Sequence, residues 1–283
     1  MTLADGGHAF GGRLTFESRL PGLSAWHRVV DYRLGRLNEM PNVSLYLQST
    51  LGVDEIIDLA PDRVVLATGA RWTKMLYSSL EIPVGTLDHD RVFTPDDIAA
   101  GRLPVGPTLV FDFDNYYMGG VLTEHLAAQG IPVTYVTPAG QASAWTIMTN
   151  ELPLVHRALS RRRVPVTTLQ LLKSFDGETA TLAQIFTGEE SRIACNSVLI
   201  VGLRLPRDEL HEALSARVGD LAGAGIRSVD RIGDALAPGA IAHAVHSGHR
   251  LARELGAAAS MPYRRDTPIV DAVPDFQLSA AAE

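Results

Sequence analysis

Cysteine is nearly absent from this chain of 283 residues, because Cys195 is the only one. A single thiol excludes a disulfide within the chain, and it excludes a cysteine-ligated iron–sulfur cluster, which requires several thiolates. Cys195 lies just before the apolar run from Ser197 to Gly202. We therefore predict a small buried residue at this position rather than a nucleophile.

Long apolar runs and clustered basic residues are also missing. No run approaches the roughly 18 apolar residues of a membrane-spanning helix, and the N-terminus has Asp5 and glycines in place of a signal peptide. The formal charge of −7 argues against nucleic-acid binding, which needs clustered Lys and Arg. The one basic run, 161–163, is expected to be a solvated helix end. These features predict a cytoplasmic protein that binds neither nucleic acid nor membrane.

A third absence concerns glycine, since no strand is followed by Gly-x-Gly-x-x-Gly. Two short β-branched strands do stop abruptly at small residues, one at Thr68-Gly69 and the other at Gly233-Asp234. Buried parallel strands deliver backbone to a bound nucleotide in this way. A helix after Gly233 would direct backbone N–H groups at an anionic pyrophosphate. Asp234 could accept a hydrogen bond from a ribityl or ribose hydroxyl, or it could only cap its helix.

The remaining pattern alternates helices and strands around a Pro- and Gly-rich stretch near residues 83–107. Strand 108–111, helix 120–129 and strand 132–137 form a βαβ unit, which predicts a parallel sheet. Polar–apolar alternation through 164–186 and then 192–200 predicts further strands of this unit. The other expected elements are a helix at 26–40, a strand at 43–47, a short helix at 52–57, a helix at 237–254 and an irregular tail at 261–283.

Together these motifs resemble the C-terminal part of the family of trimethylamine dehydrogenase and 2,4-dienoyl-CoA reductase. The Ala70-Arg71-Trp72 segment that follows Thr68-Gly69, and the pair Tyr116-Tyr117, are closer to the amine dehydrogenase and N-demethylase branch of this family. The residues that carry the resemblance are Gly11-Gly12-Arg13-Leu14, Leu20-Pro21-Gly22-Leu23, Asp31-Tyr32-Arg33, Val65 to Trp72, Ile232-Gly233-Asp234-Ala235, Gly248 to Glu254 and Pro262-Tyr263-Arg264-Arg265.

The resemblance implies an α/β fold of two nested, Rossmann-like, three-layer domains of the FAD/NAD(P)-binding type. Residues 1–105 with 226–283 would form an FAD- or ADP-binding-type domain that lacks its first strand and glycine turn. Residues 106–225 would form an inserted NAD(P)-binding-like domain. The family's N-terminal barrel, which carries FMN and the iron–sulfur cluster and performs the substrate chemistry, has no counterpart here, so no catalytic residue is expected in this chain.

The resemblance also assigns a cofactor site, which would hold FAD or ADP unless the missing glycine turn prevents binding. We expect neither a metal nor an iron–sulfur cluster in this chain. The expected cofactor-binding residues are Gly11, Gly12, Arg13, Ala67, Thr68, Gly69, Ala70, Trp72, Gly233, Asp234 and Ala235.

The inserted domain departs from a nicotinamide-binding pattern. Its first strand is followed by Asp112-Phe113-Asp114-Asn115-Tyr116-Tyr117 where Gly-x-Gly-x-x-Gly is required for close approach of phosphates. A carboxylate about 4 Å from a phosphate costs roughly 1 to 4 kcal/mol at effective dielectric constants of 80 to 20. We therefore predict that this domain binds no NAD(P)H.

Other candidate features are weaker. Three histidines recur at a three-residue spacing, at His243, His246 and His249. On a helix the first and third would point about 120° apart, so surface positions are favoured over a metal site. Asp96 and Asp97 are interpreted as a helix start beside Thr94 rather than a catalytic carboxylate pair. Trp26 and Trp145 are expected to be packing residues.

The expected function is therefore the nucleotide-binding portion of a flavin-dependent amine oxidoreductase, inactive in isolation. Its expected partners are the flavin barrel, from the same protein or a separate subunit, an electron-transfer flavoprotein as acceptor, and further copies of the chain in a homo-oligomer. Two alternatives remain open: a non-catalytic structural or electron-transfer subunit completed by a partner chain, and an NAD(P)H-dependent reductase like the dienoyl-CoA enzymes.

Overall fold

The computed structural model describes residues 1–255, so the predicted tail and the Pro262–Arg265 motif lie outside the described residues. The described chain has a mixed α/β fold. Its α-helices are α1 (Leu14–Glu17), α2 (Arg28–Asn38), α3 (Val53–Leu59), α4 (Pro95–Ala99), α5 (Tyr117–Ala128), α6 (Leu152–Arg161), α7 (Glu209–Ser215), α8 (Val218–Gly223) and α9 (Ile241–Glu254). Short 3₁₀ helices occupy Ser24–His27, Ala144–Thr149 and Gly233–Ala235.

The strands are short, and most belong to separate small sheets. They are β1 (Thr2–Ala4), β2 (Ser44–Tyr46), β3 (Arg63–Leu66), β4 (Ala70–Trp72), β5 (Met75–Tyr77), β6 (Pro83–Thr86), β7 (Val92–Phe93), β8 (Thr108–Asp112), β9 (Val133–Val136), β10 (Val166–Thr167), β11 (Gln170–Phe175), β12 (Thr179–Gln184), β13 (Glu190–Ala194), β14 (Ser197–Val201), β15 (Arg204–Pro206) and β16 (Ser228–Arg231).

The largest sheet is parallel and has the order β10-β9-β8-β14-β7. Every residue of β8 and β14 is buried, as expected for central strands covered on both faces. The predicted βαβ unit is confirmed, with α5 joining β8 to β9. Helix α5 begins three residues before the predicted start because Tyr117 and Met118 are already buried against the core.

The alternating segment after residue 164 forms strands, as predicted. Strand β10 adds to the parallel sheet, and β11, β12 and β13 form an antiparallel sheet of their own. One hydrophobic cluster joins the two sheets, with Leu172 and Leu182 from the antiparallel sheet and Phe111 and Ile200 from the parallel one. The two sheets therefore share a core.

Two further parallel pairs, β1–β2 and β3–β16, come from the ends of the chain. Leu214 of α7 and Leu221 of α8 pack in one cluster with Val64 and Leu66 of β3. Strand β7 lies before residue 106 yet pairs with β14, and α7 and α8 lie before residue 226 yet pack on β3. Contacts of the two expected domains thus extend past both predicted boundaries.

Helix α4 begins where the sequence predicts, directly after Thr94. The Asp97 carboxylate accepts hydrogen bonds from the Thr94 backbone N–H (2.8 Å) and from the Thr94 hydroxyl (3.2 Å). The Asp96 carboxylate accepts from the backbone N–H of Trp72 at 2.9 Å. Both carboxylates therefore have structural roles, which agrees with the interpretation of this segment as a helix start.

Replacing Asp97 by alanine is expected to lower the free energy of unfolding by about 1 to 2 kcal/mol, because it leaves polar groups of the buried Thr94 without an acceptor. Urea unfolding measures the change. Asp90→Ala, at an exposed carboxylate seven residues earlier, is the matched control and should stay within about 0.5 kcal/mol of the parent. Equal losses in the two variants would contradict this role for Asp97.

Single residues mostly follow the sequence expectations, with one exception. Cys195 is buried, and burial raises the pKa of its thiol. Trp26 packs edge-on against Tyr117, with ring centroids 4.8 Å apart. The prediction for Trp145 was wrong, since its side chain is largely exposed in the 3₁₀ helix Ala144–Thr149. Within residues 1–255, no helix is long and apolar enough to cross a membrane.

Candidate functional site

The two predicted glycine turns lie at the same edge of one parallel strand pair. In β3 and β16, Leu66 is opposite Arg231, so the chain leaves both strands side by side. The Ile232 N–H donates to the carbonyl of Leu66 at 3.0 Å, which extends the ladder to the turns. Gly69 and Gly233 both have positive φ values, +79° and +58°, which glycine adopts without strain. The structure thus brings together the two halves of the predicted nucleotide edge.

Residues at these turns differ in how accessible they are. Ala67 and Thr68 are exposed, Gly69 and Ala70 are half-buried, and Ala235 is fully buried. The Thr68 hydroxyl donates to the carbonyl of Arg207 at 2.5 Å. The N–H of Gly233 donates to the hydroxyl of Ser247 on α9 at 3.1 Å, so this donor already has a protein partner.

The Gly11-Gly12-Arg13 segment reaches the same region through its arginine. The Arg13 Nε lies 3.5 Å from a carboxylate oxygen of Asp234, and Arg13 Nη2 donates to the carbonyl of Gly239 at 2.8 Å. A side chain at Gly11 would press on Val30, since an added Cβ would lie 2.9 Å from it, whereas Gly12 faces open space. Gly11 therefore serves packing beneath the turn, and Gly12 remains accessible.

Asp234 is engaged by protein groups on both carboxylate oxygens. Arg204 Nη1 donates to Oδ2 at 2.8 Å, and the Gly239 N–H donates to Oδ1 at 2.9 Å. Asp234 is not the N-cap residue of the short helix that contains it, where Ile232 has that position, nor of α9, where Ala240 has it. Of the two roles left open by the sequence, capping therefore does not apply, and Asp234 instead binds the backbone just before α9. Each carboxylate oxygen has two lone pairs, so a ligand hydroxyl could still be accepted at Oδ1.

Arg204, which the sequence analysis did not single out, joins the turns to the rest of the chain. It lies on β15, opposite Trp72 on β4, and its guanidinium is 5.3 Å from the centroid of the indole ring. Trp72 itself is buried in a cluster with Leu20 and Phe93. Trp72 therefore packs beneath the site and does not line an open cleft.

Glu17 and Tyr117 complete a group of five residues that we call the junction cluster: Arg13, Glu17, Tyr117, Arg204 and Asp234. The Tyr117 hydroxyl donates to Glu17 Oε2 at 2.9 Å, and Arg13 Nη1 lies 3.4 Å from Glu17 Oε1. Burial raises the pKa of Glu17, while the charge of Arg13 opposes that shift. No local motif predicts this cluster, although the i,i+4 spacing of Arg13, the N-cap residue of α1, and Glu17 is a weak signal for one contact.

A second buried polar group lies at the end of β8. The fully buried Asp112 accepts hydrogen bonds from the Tyr135 hydroxyl and, at 2.9 Å, from the Asn115 N–H. The Tyr135 oxygen accepts from the Ser143 N–H at 2.8 Å. Burial, with a smaller contribution from the nearby charge of Asp114, raises the pKa of Asp112 to about 8. Asp112 is therefore largely protonated at neutral pH.

Asp112 also fills the space at the start of α5. An added Cβ on Gly119, in the first turn of that helix, would lie 2.3 Å from Cγ of Asp112. In dinucleotide-binding folds the corresponding space between strand end and helix start is left open by glycines for the pyrophosphate. Here a side chain of the protein occupies it.

The three histidines on α9 all have exposed side chains. The His243 Nδ1 accepts a hydrogen bond from the Ala240 N–H at 3.1 Å. Within residues 1–255 no group of three or more metal-ligating side chains is close enough together to hold a metal ion. Their placement agrees with surface positions on this helix.

Comparison with known proteins shows clear relatives, although no family model matches the sequence. Dimethylamine dehydrogenase from Hyphomicrobium sp. (strain x) is 31% identical over 93% of this chain and 40% of the relative. The structure of histamine dehydrogenase from Rhizobium sp. 4-9 superposes with a TM-score of 0.88 at 37% identity, covering 96% of this chain and 43% of that one.

A second solved structure gives the same result. The 6-hydroxypseudooxynicotine amine oxidase from Pseudomonas geniculata N1 superposes with a TM-score of 0.84 at 40% identity, over 90% of this chain and 38% of that one. The chain thus spans about two fifths of the length of these proteins. The resemblance predicted from the motifs is confirmed: the chain is a relative of the amine dehydrogenases in the trimethylamine dehydrogenase family and matches a portion of them.

Proposed function

We propose that the chain is the nucleotide-binding portion of a flavin-dependent amine oxidoreductase that catalyses oxidative N-demethylation, as trimethylamine dehydrogenase does. The pair of glycine turns at Gly69 and Gly233, at one edge of β3 and β16, carries this proposal. The similarity to dimethylamine and histamine dehydrogenases supports the amine branch. In such an enzyme the flavin accepts electrons from the amine, and the residues of this chain bind a nucleotide and support the assembly.

The proposal includes two nested nucleotide-binding-type units. One comprises the ends of the chain, with β1–β2 and β3–β16, and the other the five-stranded parallel sheet with its antiparallel companion. The antiparallel pair β4–β15 connects them. These pairings favour domain boundaries at β4 and β15, where the chain passes from one unit to the other. The boundaries expected from the sequence were near residues 105 and 226.

The first unit is proposed to bind FAD or ADP along the edge formed by Thr68, Gly69 and Gly233. Asp5, which the sequence analysis did not select, belongs to the same proposal because it directly follows β1, which pairs in parallel with β2. An acidic residue after a strand of a dinucleotide-binding fold accepts hydrogen bonds from ribose hydroxyls. These residues suit the adenosine half of the ligand, but residues 1–105 contain no Gly-x-Gly-x-x-Gly after a strand to receive the pyrophosphate.

The second unit is proposed to bind no NAD(P)H. The carboxyl group of Asp112 lies where the start of α5 would otherwise meet a pyrophosphate, and Tyr135 and Asn115 hold it there. A dinucleotide would have to displace a side chain that is fully buried. This arrangement supports an amine-oxidising role over that of a nicotinamide-dependent reductase.

Gly69→Asn tests the nucleotide site and is expected to weaken binding of ADP at least tenfold, as measured by isothermal titration calorimetry. A side chain at residue 69 would enter the open space at the turn, where no protein atom lies within 4 Å. Gly130→Asn is the matched control, because Gly130 has the same φ of +79° and the same open surroundings, beyond the end of α5. Asparagine tolerates this backbone conformation better than most residues.

The control variant should bind ADP as the parent does, and NADPH should bind none of the three proteins. Equal ADP affinities in the two variants would contradict the proposed site, and NADPH binding in the micromolar range would contradict the proposal for the second unit. The matched relatives are more than twice as long as this chain. We therefore further propose that a flavin barrel, in the same protein or another subunit, supplies the catalysis. An electron-transfer flavoprotein would accept the electrons, and the chain itself would form a homo-oligomer.

A further inference from the structure

An exposed apolar turn lies on the proposed second unit. The side chains of Trp145, Ile147 and Met148 in the 3₁₀ helix Ala144–Thr149 are 60%, 55% and 74% exposed, and Leu154 at the start of α6 is 58% exposed. We call these four residues the apolar turn. Large apolar side chains that are exposed together mark interaction sites more often than single ones do.

The backbone of the apolar turn is held firmly, so the exposure belongs to the fold. Ser143 and Asn150, at its two ends, have left-handed φ values of 49° and 60°. The Trp145 N–H donates to the carbonyl of Asn115 at 2.8 Å, and the buried Thr146 hydroxyl donates to the carbonyl of Ser143 at 2.7 Å. These bonds fix the short helix by its inner side and direct the large side chains outward.

A basic groove begins at the same place. It has a volume of about 490 Å³ and is lined by Glu124, Leu154, Arg157, Ala158, Arg161 and Arg162. Leu154 therefore belongs to both the groove and the apolar turn. Arg162 is paired with Glu124 at 3.5 Å, whereas Arg157 and Arg161 have exposed side chains on α6. The lining carries three positive charges and one negative charge on a chain whose net charge is −7.

We propose that the apolar turn and the basic groove form a docking surface for an acidic protein partner, one that places carboxylates in the groove and an apolar side chain against Trp145 and Met148. Tryptophan, methionine and arginine are enriched in protein interfaces. The guanidinium fork matches a carboxylate geometrically. A concave groove suits the side chains of a protein partner better than a flat lipid surface does.

Fluorescence anisotropy with defined labelled peptides tests this surface. The probe is a peptide of about 12 residues that alternates glutamates with leucine and phenylalanine; a lysine version and a glutamate–serine version serve as comparisons. The double variant Arg157→Glu/Arg161→Glu and the double variant Trp145→Ser/Met148→Ser are each expected to weaken binding of the acidic apolar peptide at least tenfold. Binding should also weaken as salt rises from about 50 to about 200 mM, because the charged groups are exposed.

Two control variants carry the same chemical changes elsewhere. Arg192→Glu on β13 and Phe186→Ser, in the connection between β12 and β13, alter an exposed arginine and an exposed aromatic residue far along the chain. Both should leave peptide binding unchanged, and all four variants should retain the parent's ADP affinity, so the test is independent of the nucleotide site. Equal binding of the lysine peptide, equal losses in the controls, or binding only to vesicles containing phosphatidylserine would overturn the proposal.

Discussion

The free energy of unfolding is expected to fall by about 4 kcal/mol between about pH 5 and about pH 9 through Asp112 alone. The pKa of this carboxyl group is raised from 3.8 to about 8 in the folded protein, chiefly by burial. Between these two values the folded state holds a proton that the unfolded state has released, so stability falls as pH rises. The contribution is fully present below the unfolded pKa and is lost as pH rises through the folded one.

Asp112→Asn isolates this contribution. The amide does not titrate, and its oxygen can still accept the hydrogen bond from the Asn115 N–H. Urea unfolding should therefore show that the free energy of unfolding depends less steeply on pH in the variant than in the parent. Between pH 5 and 8 the difference in slope should correspond to about one bound proton. Burial also raises the pKa of Asp114 and Glu17, so some decline should remain.

Asp176→Asn is the control for the pH experiment. Asp176 is exposed, and backbone hydrogen bonds from Glu178 and Thr179 lower its pKa, so it is already ionised throughout the range. Its removal should leave the slope between pH 5 and 9 unchanged. A parent-like slope in Asp112→Asn would show that Asp112 is ionised in the folded protein, and the buried, protonated acid would have to be abandoned.

Gly119→Ala is expected to destabilise the protein by about 3 kcal/mol, near the upper end for overpacking a core. The new Cβ would lie 2.3 Å from Cγ of Asp112 and 2.6 Å from its Cβ. The Asp112 side chain cannot move away, because it is fully buried and hydrogen-bonded to Tyr135 and Asn115. Thermal or urea unfolding measures the loss.

Gly35→Ala is the matched substitution, since Gly35 also lies in a helix, α2, but has no atom within 4 Å of an added Cβ. It should stabilise the protein by up to about 1 kcal/mol through helix propensity. Adding Asp112→Gly to Gly119→Ala removes the contact, so the double variant should lose less than the sum of the single losses. Strict additivity would mean that the two residues do not compete for the same space.

Sequence patterns correctly predicted the helices and strands that are determined by residues close together in the sequence. The β-branched runs ending at Gly69 and Gly233 are strands β3 and β16, and Thr94 directly precedes a helix that begins at Pro95. The start of α5 was placed three residues late, because Tyr117 and Met118 belong to its buried face only once the sheet is present. Such positions depend on packing against distant strands, which a sequence window does not contain.

The junction cluster shows the same limit for the site. Glu17 and Tyr117 are separated by 100 residues, and Arg204 and Asp234 by 30, yet each pair is hydrogen-bonded. Their pairing depends on how the proposed units meet, so the motifs identified Arg13 and Asp234 without identifying what binds them. Trp145 was misassigned for a related reason, since aromatic residues are buried so commonly that composition alone favours a packing role.

The pairing of β4 with β15 has a consequence for how this architecture arises. Trp72 and Arg204 are opposite each other in an antiparallel pair, so their Cα atoms lie about 5 Å apart although they are separated by 132 residues in the sequence. A polypeptide that leaves and re-enters its host at neighbouring points can be gained or removed in a single genetic event without stretching the host chain. In the proposed arrangement of nested units, the segment between residues 72 and 204 therefore starts and ends at neighbouring points of the host chain, although Leu20 and Trp72 of the host still pack on Phe93 of that segment.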